Sequence, residues 1–256
     1  MRPGAPGGNP AGHGAIVASL GLRGPAYLRD LERFAHDPVR LASTWLEIGD
    51  ALANLGRIDR ARLAWNRGVE AATTPSSRSV ASSCFWRLGQ VAESMRELAE
   101  ALGWYERAAD VFKRDNALHD ETMARMAIAR VMLYASGAGL ARQAARDAVA
   151  VARESGDRSL VANALELAGE IAFELGQRAE AIASLRDAVR QADLAHDETA
   201  RVRAAVALAD VLLEDGQSLV ALSVLETALP LLESHESLET RGRGMGLLAL
   251  VNLDVG

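Results

Sequence analysis

A period of 40 residues runs through most of this 256-residue chain and limits what it can fold into more than any other feature. The segments Trp45–Gly49 (WLEIG) and Phe85–Gly89 (FWRLG) share one offset, and Ile128-Ala129, Ala168-Gly169, Leu208-Ala209 and Leu248-Ala249 continue an apolar-then-small pair in step. Ala61, Ala101, Ala141, Ala181 and Ala221 form a second register, and Gly68, Ala108, Ala148, Ala188 and Ala228 a third, seven residues later. Between these two lies a larger side chain, Trp65, Tyr105, Leu185 or Leu225, with Ala145 the exception. Gly56, Gly176 and Gly216 fall where one helix should stop and the next begin. Fixed self-similarity of this length is the signature of a repeat architecture.

Within each unit the apolar residues recur at three- and four-residue steps on both sides of the glycine, which predicts two amphipathic helices. Small residues let the two backbones approach, large ones fill the gap, and glycine supplies a left-handed residue that ends the first helix without a Cβ clash. A lone hairpin cannot bury its apolar face, so neighbouring units must stack. The expected fold is all-α, a right-handed superhelical solenoid. Composition agrees, since aromatics are only 4% and Ala and Leu, both good helix formers, carry most of the apolar content. The net charge of -6 argues against a nucleic-acid platform. No apolar run is long enough to span a membrane. Cys84 is the single cysteine, which excludes an internal disulfide framework. Residues 1–25 hold four of the seven prolines and many glycines, and are expected to form a flexible tail. The short run Ala15–Leu20 lacks the flanks of a secretory signal, so a cytoplasmic location is expected.

The segment WLEIGDALANLGRIDRARLAW, Trp45 to Trp65, resembles the tetratricopeptide repeat. Trp45, Gly49 and Ala61 match the family pattern; Ile48, Leu52, Trp65 and Gly68 replace its leucine, tyrosine, phenylalanine and last alanine. The family usually repeats every 34 residues; a period of 40 is similar to the longer repeats of kinesin light chains and many bacterial regulators, and implies a longer second helix or loop. The resemblance implies five units starting at 42, 82, 122, 162 and 202, a partial sixth from 242, and a leading half-repeat over 26–41 that contains Tyr27, Leu28, Leu31 and Phe34.

Catalytic and metal signals are thin. His36-Asp37, His119-Asp120 and His196-Asp197 repeat a pair, but each is expected in the loop before a new unit, with Asp as a helix N-cap and Asp157 in the matching place. His13 and His235 have no evident partner. Gly242, Gly244 and Gly246 lack the preceding strand and following lysine of a phosphate loop. Cys84, beside Phe85, reads as a small core residue. No enzymatic role, metal or cofactor is expected.

What remains is a surface. In the tetratricopeptide family the first helices of successive units line a concave groove. Carrying the family's groove positions over residue by residue selects Trp86, Met126, Arg130, Tyr134, Glu170, Phe173, Glu174, Asp210 and Glu214. That groove would be aromatic and methionine-rich in the middle and acidic toward the carboxyl end. Apolar residues at helical spacing serve equally well as packing between units, which is the competing reading for Trp86, Leu133 and Phe173. The basic clamp of chaperone-binding relatives is not kept: Leu46, Asp50, Arg87, Met123 and Ala127 stand in its places. The resemblance therefore implies a non-catalytic scaffold that binds a peptide or helix carrying apolar anchors and basic residues. The alternative is the regulatory or sensor domain of a larger bacterial signalling protein, such as a kinase, transcription regulator or caspase-like protease. The apolar segment 242–256 carries a further expectation, of continuation into a longer protein or self-association.

Overall fold

The computed structural model describes residues 36–135, 138–234 and 236–255. The expected tail 1–25, residues 26–35 of the leading half-repeat, His13 and His235 lie outside the described residues. Among those described are eleven α-helices: α1 Pro38–Asn54, α2 Ile58–Ala71, α3 Arg78–Ser94, α4 Leu98–Arg114, α5 Leu118–Ala135, α6 Ala138–Ser155, α7 Arg158–Glu174, α8 Arg178–Ala195, α9 Glu198–Glu214, α10 Ser218–Ser234 and α11 Leu238–Val255. A 3-10 turn, Pro75–Ser77, precedes α3. Odd-numbered helices begin at 38, 78, 118, 158, 198 and 238, one turn before the unit starts taken from the family register. Even-numbered helices begin at 58, 98, 138, 178 and 218. The period is thus kept to the residue.

The extra length is shared more evenly than the sequence suggested. A 34-residue hairpin with the same short connectors would leave about 14 residues per helix, whereas α3 and α4 have 17 each and α5 and α6 have 18 each. Outside the first hairpin, where α2 keeps 14 residues and a longer connector follows it, both helices grew and the connectors stayed short. Gly56, Gly176 and Gly216 end α1, α7 and α9 with φ of 71°, 70° and 75°, and Arg96 takes the same left-handed place after α3 at 63°. At the other reversal that place falls to Asn116, Gly156 and His196. His196 is therefore the C-cap residue of α8.

Asp37, Asp157 and Asp197 cap α1, α7 and α9, accepting from the backbone N–H of Arg40, Leu160 and Ala200 at 3.1, 3.1 and 2.9 Å. The His119-Asp120 pair does not join them. Asp120 sits inside the first turn of α5, three residues past the capping register, where Ala117 stands. An acidic residue there meets the positive end of the helix without capping it.

The described residues form two compact units, 36–112 and 113–255. In the first, α1 packs on α2, α2 on α3, and α1 on α3. Its core joins Ile48, Leu52, Trp65, Cys84 and Leu88. In the second, each helix from α5 to α11 packs on the next, and α5, α7, α9 and α11 also touch in sequence. The odd-numbered helices there form one continuous layer. The expected interhelix registers are realised: all five alanines at 61, 101, 141, 181 and 221 are fully buried. Gly49 accommodates Trp65 so closely that a Cβ would lie 2.2 Å from the indole nitrogen, and one on Gly169 would lie 2.6 Å from Leu185. Ala145, the exception among the large residues, shares its cluster with Ala129.

Candidate functional site

In the first unit the groove register leads to Trp86 on α3. Its ring is tilted 53° against that of Tyr105, with centroids 5.1 Å apart. The Tyr105 hydroxyl donates to Glu93 at 2.7 Å. Neighbouring Arg87 donates to Asp50 at 3.0 Å, and the same carboxylate accepts from Trp65 Nε1 at 3.1 Å. Trp86 is half-buried and belongs to this bonded framework as much as to any open face.

In the second unit the nominated residues divide by environment. Met126 packs partly buried against Val149, Leu160 and Leu165, and Phe173 against the cluster that includes Leu208 and Leu212. Arg130 is half-buried, whereas Tyr134 is 57% exposed. Glu170, Glu174 and Glu214 are exposed and Asp210 is half-buried. The structure thus turns Phe173 largely inward and leaves Tyr134 and the glutamates outward.

Three odd-numbered helices meet around a cleft of about 210 Å³, lined by Glu166 and Glu170 from α7, Arg203, Val206 and Ala207 from α9, and Glu239, Thr240 and Arg243 from α11. Helical spacing explains the convergence, because i and i+4 residues share one face of each helix. Arg203 reaches back to Glu166 at 2.9 Å and Asn163 at 2.6 Å. Arg243 is bonded to Asp210. Glu214 has Arg178 at 3.9 Å. The acidic end expected from sequence is therefore partly neutralised by its own arginines. Glu170 and Glu174 have no ion-pair partner among the described residues.

Desolvation raises the Glu166 carboxyl pKa above its ordinary value, against the pull of Arg203. Glu170 is raised too, by desolvation first and then by the Glu166 charge beside it. A carboxylate held this way gains from any cation that reaches it. Val206 and Ala207 give the cleft an apolar floor between these charges. Arg203, Glu239, Thr240 and Arg243 are not among the groove residues selected from the sequence. The available signal was opposite charge roughly one period apart, as in Glu166 and Arg203 or Asp210 and Arg243.

Cys84 is fully buried, and burial, then the Asp50 charge, pushes its thiol up to about 12, too high for a nucleophile at neutral pH. His119 Nδ1 lies 4.0 Å from an Asp157 oxygen, a solvent-exposed contact. No cluster of three metal-ligating side chains occurs among the described residues. No described helix is long and apolar enough to cross a membrane.

Residues 162–192, covering most of α7 and most of α8 and including two cleft residues, match the tetratricopeptide repeat family. One repeat of that family is therefore present in the chain, over one α7–α8 hairpin. Among solved structures this repeat protein is similar to BtubC from P. vanneervenii, with a TM-score of 0.70 at 15% identity over 87% of this chain and 91% of that one. It is similar to the apo form of RapI, with a TM-score of 0.77 at 14% identity over 88% of this chain and 63% of that one. A third likeness is to a signal transduction ATPase with numerous domains and a tetratricopeptide repeat sensor from Pyrococcus horikoshii, with a TM-score of 0.67 at 15% identity over 93% of this chain. The repeat protein spans only 38% of that ATPase. No curated protein sequence matches. At these identities the likeness establishes the shared all-α repeat solenoid.

Proposed function

We propose that this repeat protein is a non-catalytic scaffold that receives a peptide or helix on the α7–α9–α11 face, with a basic side chain of the partner seated at Glu170. The observation that carries this reading is the cleft itself. Its arginines are already bonded to Glu166 and Asp210, while the raised Glu170 carboxyl has no ion-pair partner among the described residues. A lysine or arginine could lay its aliphatic stem on Val206 and Ala207 and bring its charge to Glu170. Apolar anchors would meet exposed Tyr134 and half-buried Met126 on α5, methionine being an adaptable contact. A cytoplasmic location belongs to the same reading.

The test is selection from a displayed peptide library, followed by binding of the best sequence to the full chain. Selected peptides should be basic and apolar. Glu170→Lys and Glu174→Lys together should weaken binding at least about tenfold, or 1.4 kcal/mol, and added salt should slow association. Acidic peptides, or indifference to both substitutions and to salt, would exclude this site. A second reading, a sensor domain acting within a larger signalling protein, is favoured by one observation: the chain is similar to 38% of a signal transduction ATPase that carries a tetratricopeptide repeat sensor.

A further inference from the structure

Among the described residues, one register of the odd-numbered helices carries an acid three times: Asp50 on α1, Glu170 on α7 and Asp210 on α9, separated by whole 40-residue periods. Two of these three are bonded to an arginine of the next odd-numbered helix. Asp50 accepts from Arg87 Nε at 3.0 Å, and Asp210 accepts from Arg243. Glu170 has an arginine in the equivalent place, since Arg203 stands one period before Arg243. Yet Arg203 bonds elsewhere. Its Nη2 donates to Asn163 Oδ1 at 2.6 Å and to Glu166 Oε2 at 2.9 Å, and its Nε reaches the same carboxylate oxygen at 3.3 Å.

The residue one helical turn earlier accounts for the difference. Leu46 precedes Asp50 and Val206 precedes Asp210, and neither side chain can accept a hydrogen bond. Glu166 precedes Glu170. Asn163 and Glu166 are three residues apart on α7, so their oxygens share one face and meet the guanidinium together. On α9 those two places belong to Arg203 and Val206, which offer Arg243 no acceptor, and Arg243 takes Asp210 on the following turn. The rigid fork of a guanidinium favours acceptors set side by side over a single one. Glu166 is also well enclosed, with its side chain 13% exposed, so salt screens its pair with Arg203 only weakly. Glu166, Glu170 and Arg203 line the same cleft. From one carboxylate to the other is one helical turn, about 5.4 Å, a distance that an arginine covers by rotating its own side-chain bonds. The charges acting on Glu170 are those of Glu166, Arg243, Arg203 and Glu174.

We propose that Glu166 is a positioning residue of this site: it holds Arg203 off Glu170 and so keeps that carboxylate open to the partner's cation. Without Glu166, Arg203 takes Glu170 as Arg243 takes Asp210, and the seat is filled from within the chain. The role in recognition rests on the reading of Glu170 as the seat of a basic side chain; the arginine's choice of carboxylate does not.

Glu166→Val gives α7 the residue that α9 carries at this register and should keep the helical circular dichroism of the parent. The Glu170 carboxyl can be titrated by carbon-13 NMR of the full chain, its signal assigned by loss in Glu170→Gln. In the parent background Arg203→Met should raise the Glu170 pKa only slightly. In the Glu166→Val background the same change should raise it by about 1–3, the effect of losing a direct pair with an opposite charge. Equal rises in the two backgrounds would mean that Arg203 stays where it is, and would overturn the proposal. Binding is read with the best basic peptide from the displayed library. Glu166→Val should weaken it at least about tenfold, and Arg203→Met added to that variant should restore most of the loss. Arg201→Met makes the same change of charge on α9 but lies outside the cleft, in a pair with Asp193, and should not restore it. Rescue by Arg201→Met as well, or unchanged binding in Glu166→Val, would overturn the role in recognition. If the titration behaves as expected and no basic peptide binds the parent, the seat at Glu170 is wrong while Glu166 still directs Arg203.

Discussion

Two kinds of residue show how far a single side chain is set by what lies across from it. Glycine is the first. Gly49 and Gly103 both lie within helices, α1 and α4, but only Gly49 stands in the small-residue register of the repeat. A Cβ on Gly49 would collide with Trp65, whose indole is tied to Asp50, whereas one on Gly103 meets nothing within 4 Å. Gly49→Ala should therefore lower stability by about 1–3 kcal/mol through overpacking. Gly103→Ala should raise it by about 0.5–1 kcal/mol, since alanine loses less backbone freedom in a helix. Thermal melts of the two variants should shift in opposite directions. Glu170 is the second kind. Its folded pKa is raised above the ordinary 4.5, so the unfolded chain ionises first as pH rises, and ionisation then disfavours folding. Glu170→Gln should leave the melting temperature unchanged near pH 3, where the carboxyl is protonated in both states. The variant should melt higher than the parent at pH 7, with the gain appearing as pH climbs through and above 4.5. A constant difference across that range would mean that the charge is not what burdens the site.

At the scale of the helix, the boundaries follow local chemistry almost completely. Asp37, Asp157 and Asp197 carry a side-chain oxygen that satisfies a first-turn N–H, and each stands immediately before its helix. Asp120 looks the same in sequence and differs in placement, because Leu118 and His119 already belong to α5. Asp197→Ala should cost about 1 kcal/mol as a lost cap. Asp120→Ala should cost no more than about 0.3–0.5 kcal/mol, the value of a charge near a helix end. Denaturant melts giving equal losses would put Asp120 back among the caps. Hairpin contacts can be probed separately. Ala181 is fully buried between α8 and its neighbours, so Ala181→Leu should cost about 1–3 kcal/mol. Arg190→Leu on the same helix removes only an exposed pair with Asp187 at 2.6 Å, worth about 0–1 kcal/mol. Chemical unfolding of the two would locate the hairpin seam.

Across the whole chain, the sequence by itself determined the all-α repeat, the 40-residue step, the small and large registers of the hairpin and three of the glycine reversals. These are legible because a helix imposes a fixed 3.6-residue turn and a repeat imposes a fixed translation, so each position predicts its own environment in every copy. Only the tertiary structure decided which groove residues face outward. Phe173 and Met126 share the spacing of Tyr134's face, yet they pack against neighbouring helices while Tyr134 stays open. It also decided the charge of the cleft, since Arg203 reaches Asn163 and Glu166 on α7, and Arg243 reaches Asp210 on α9. A list of groove positions counts the glutamates and cannot say which arginine bends toward which of them. The physical reason is range. Helix formation and capping are settled within a few residues along the chain, whereas burial and the ion pairs of the cleft depend on side chains 30 to 40 residues away that only packing brings within 4 Å.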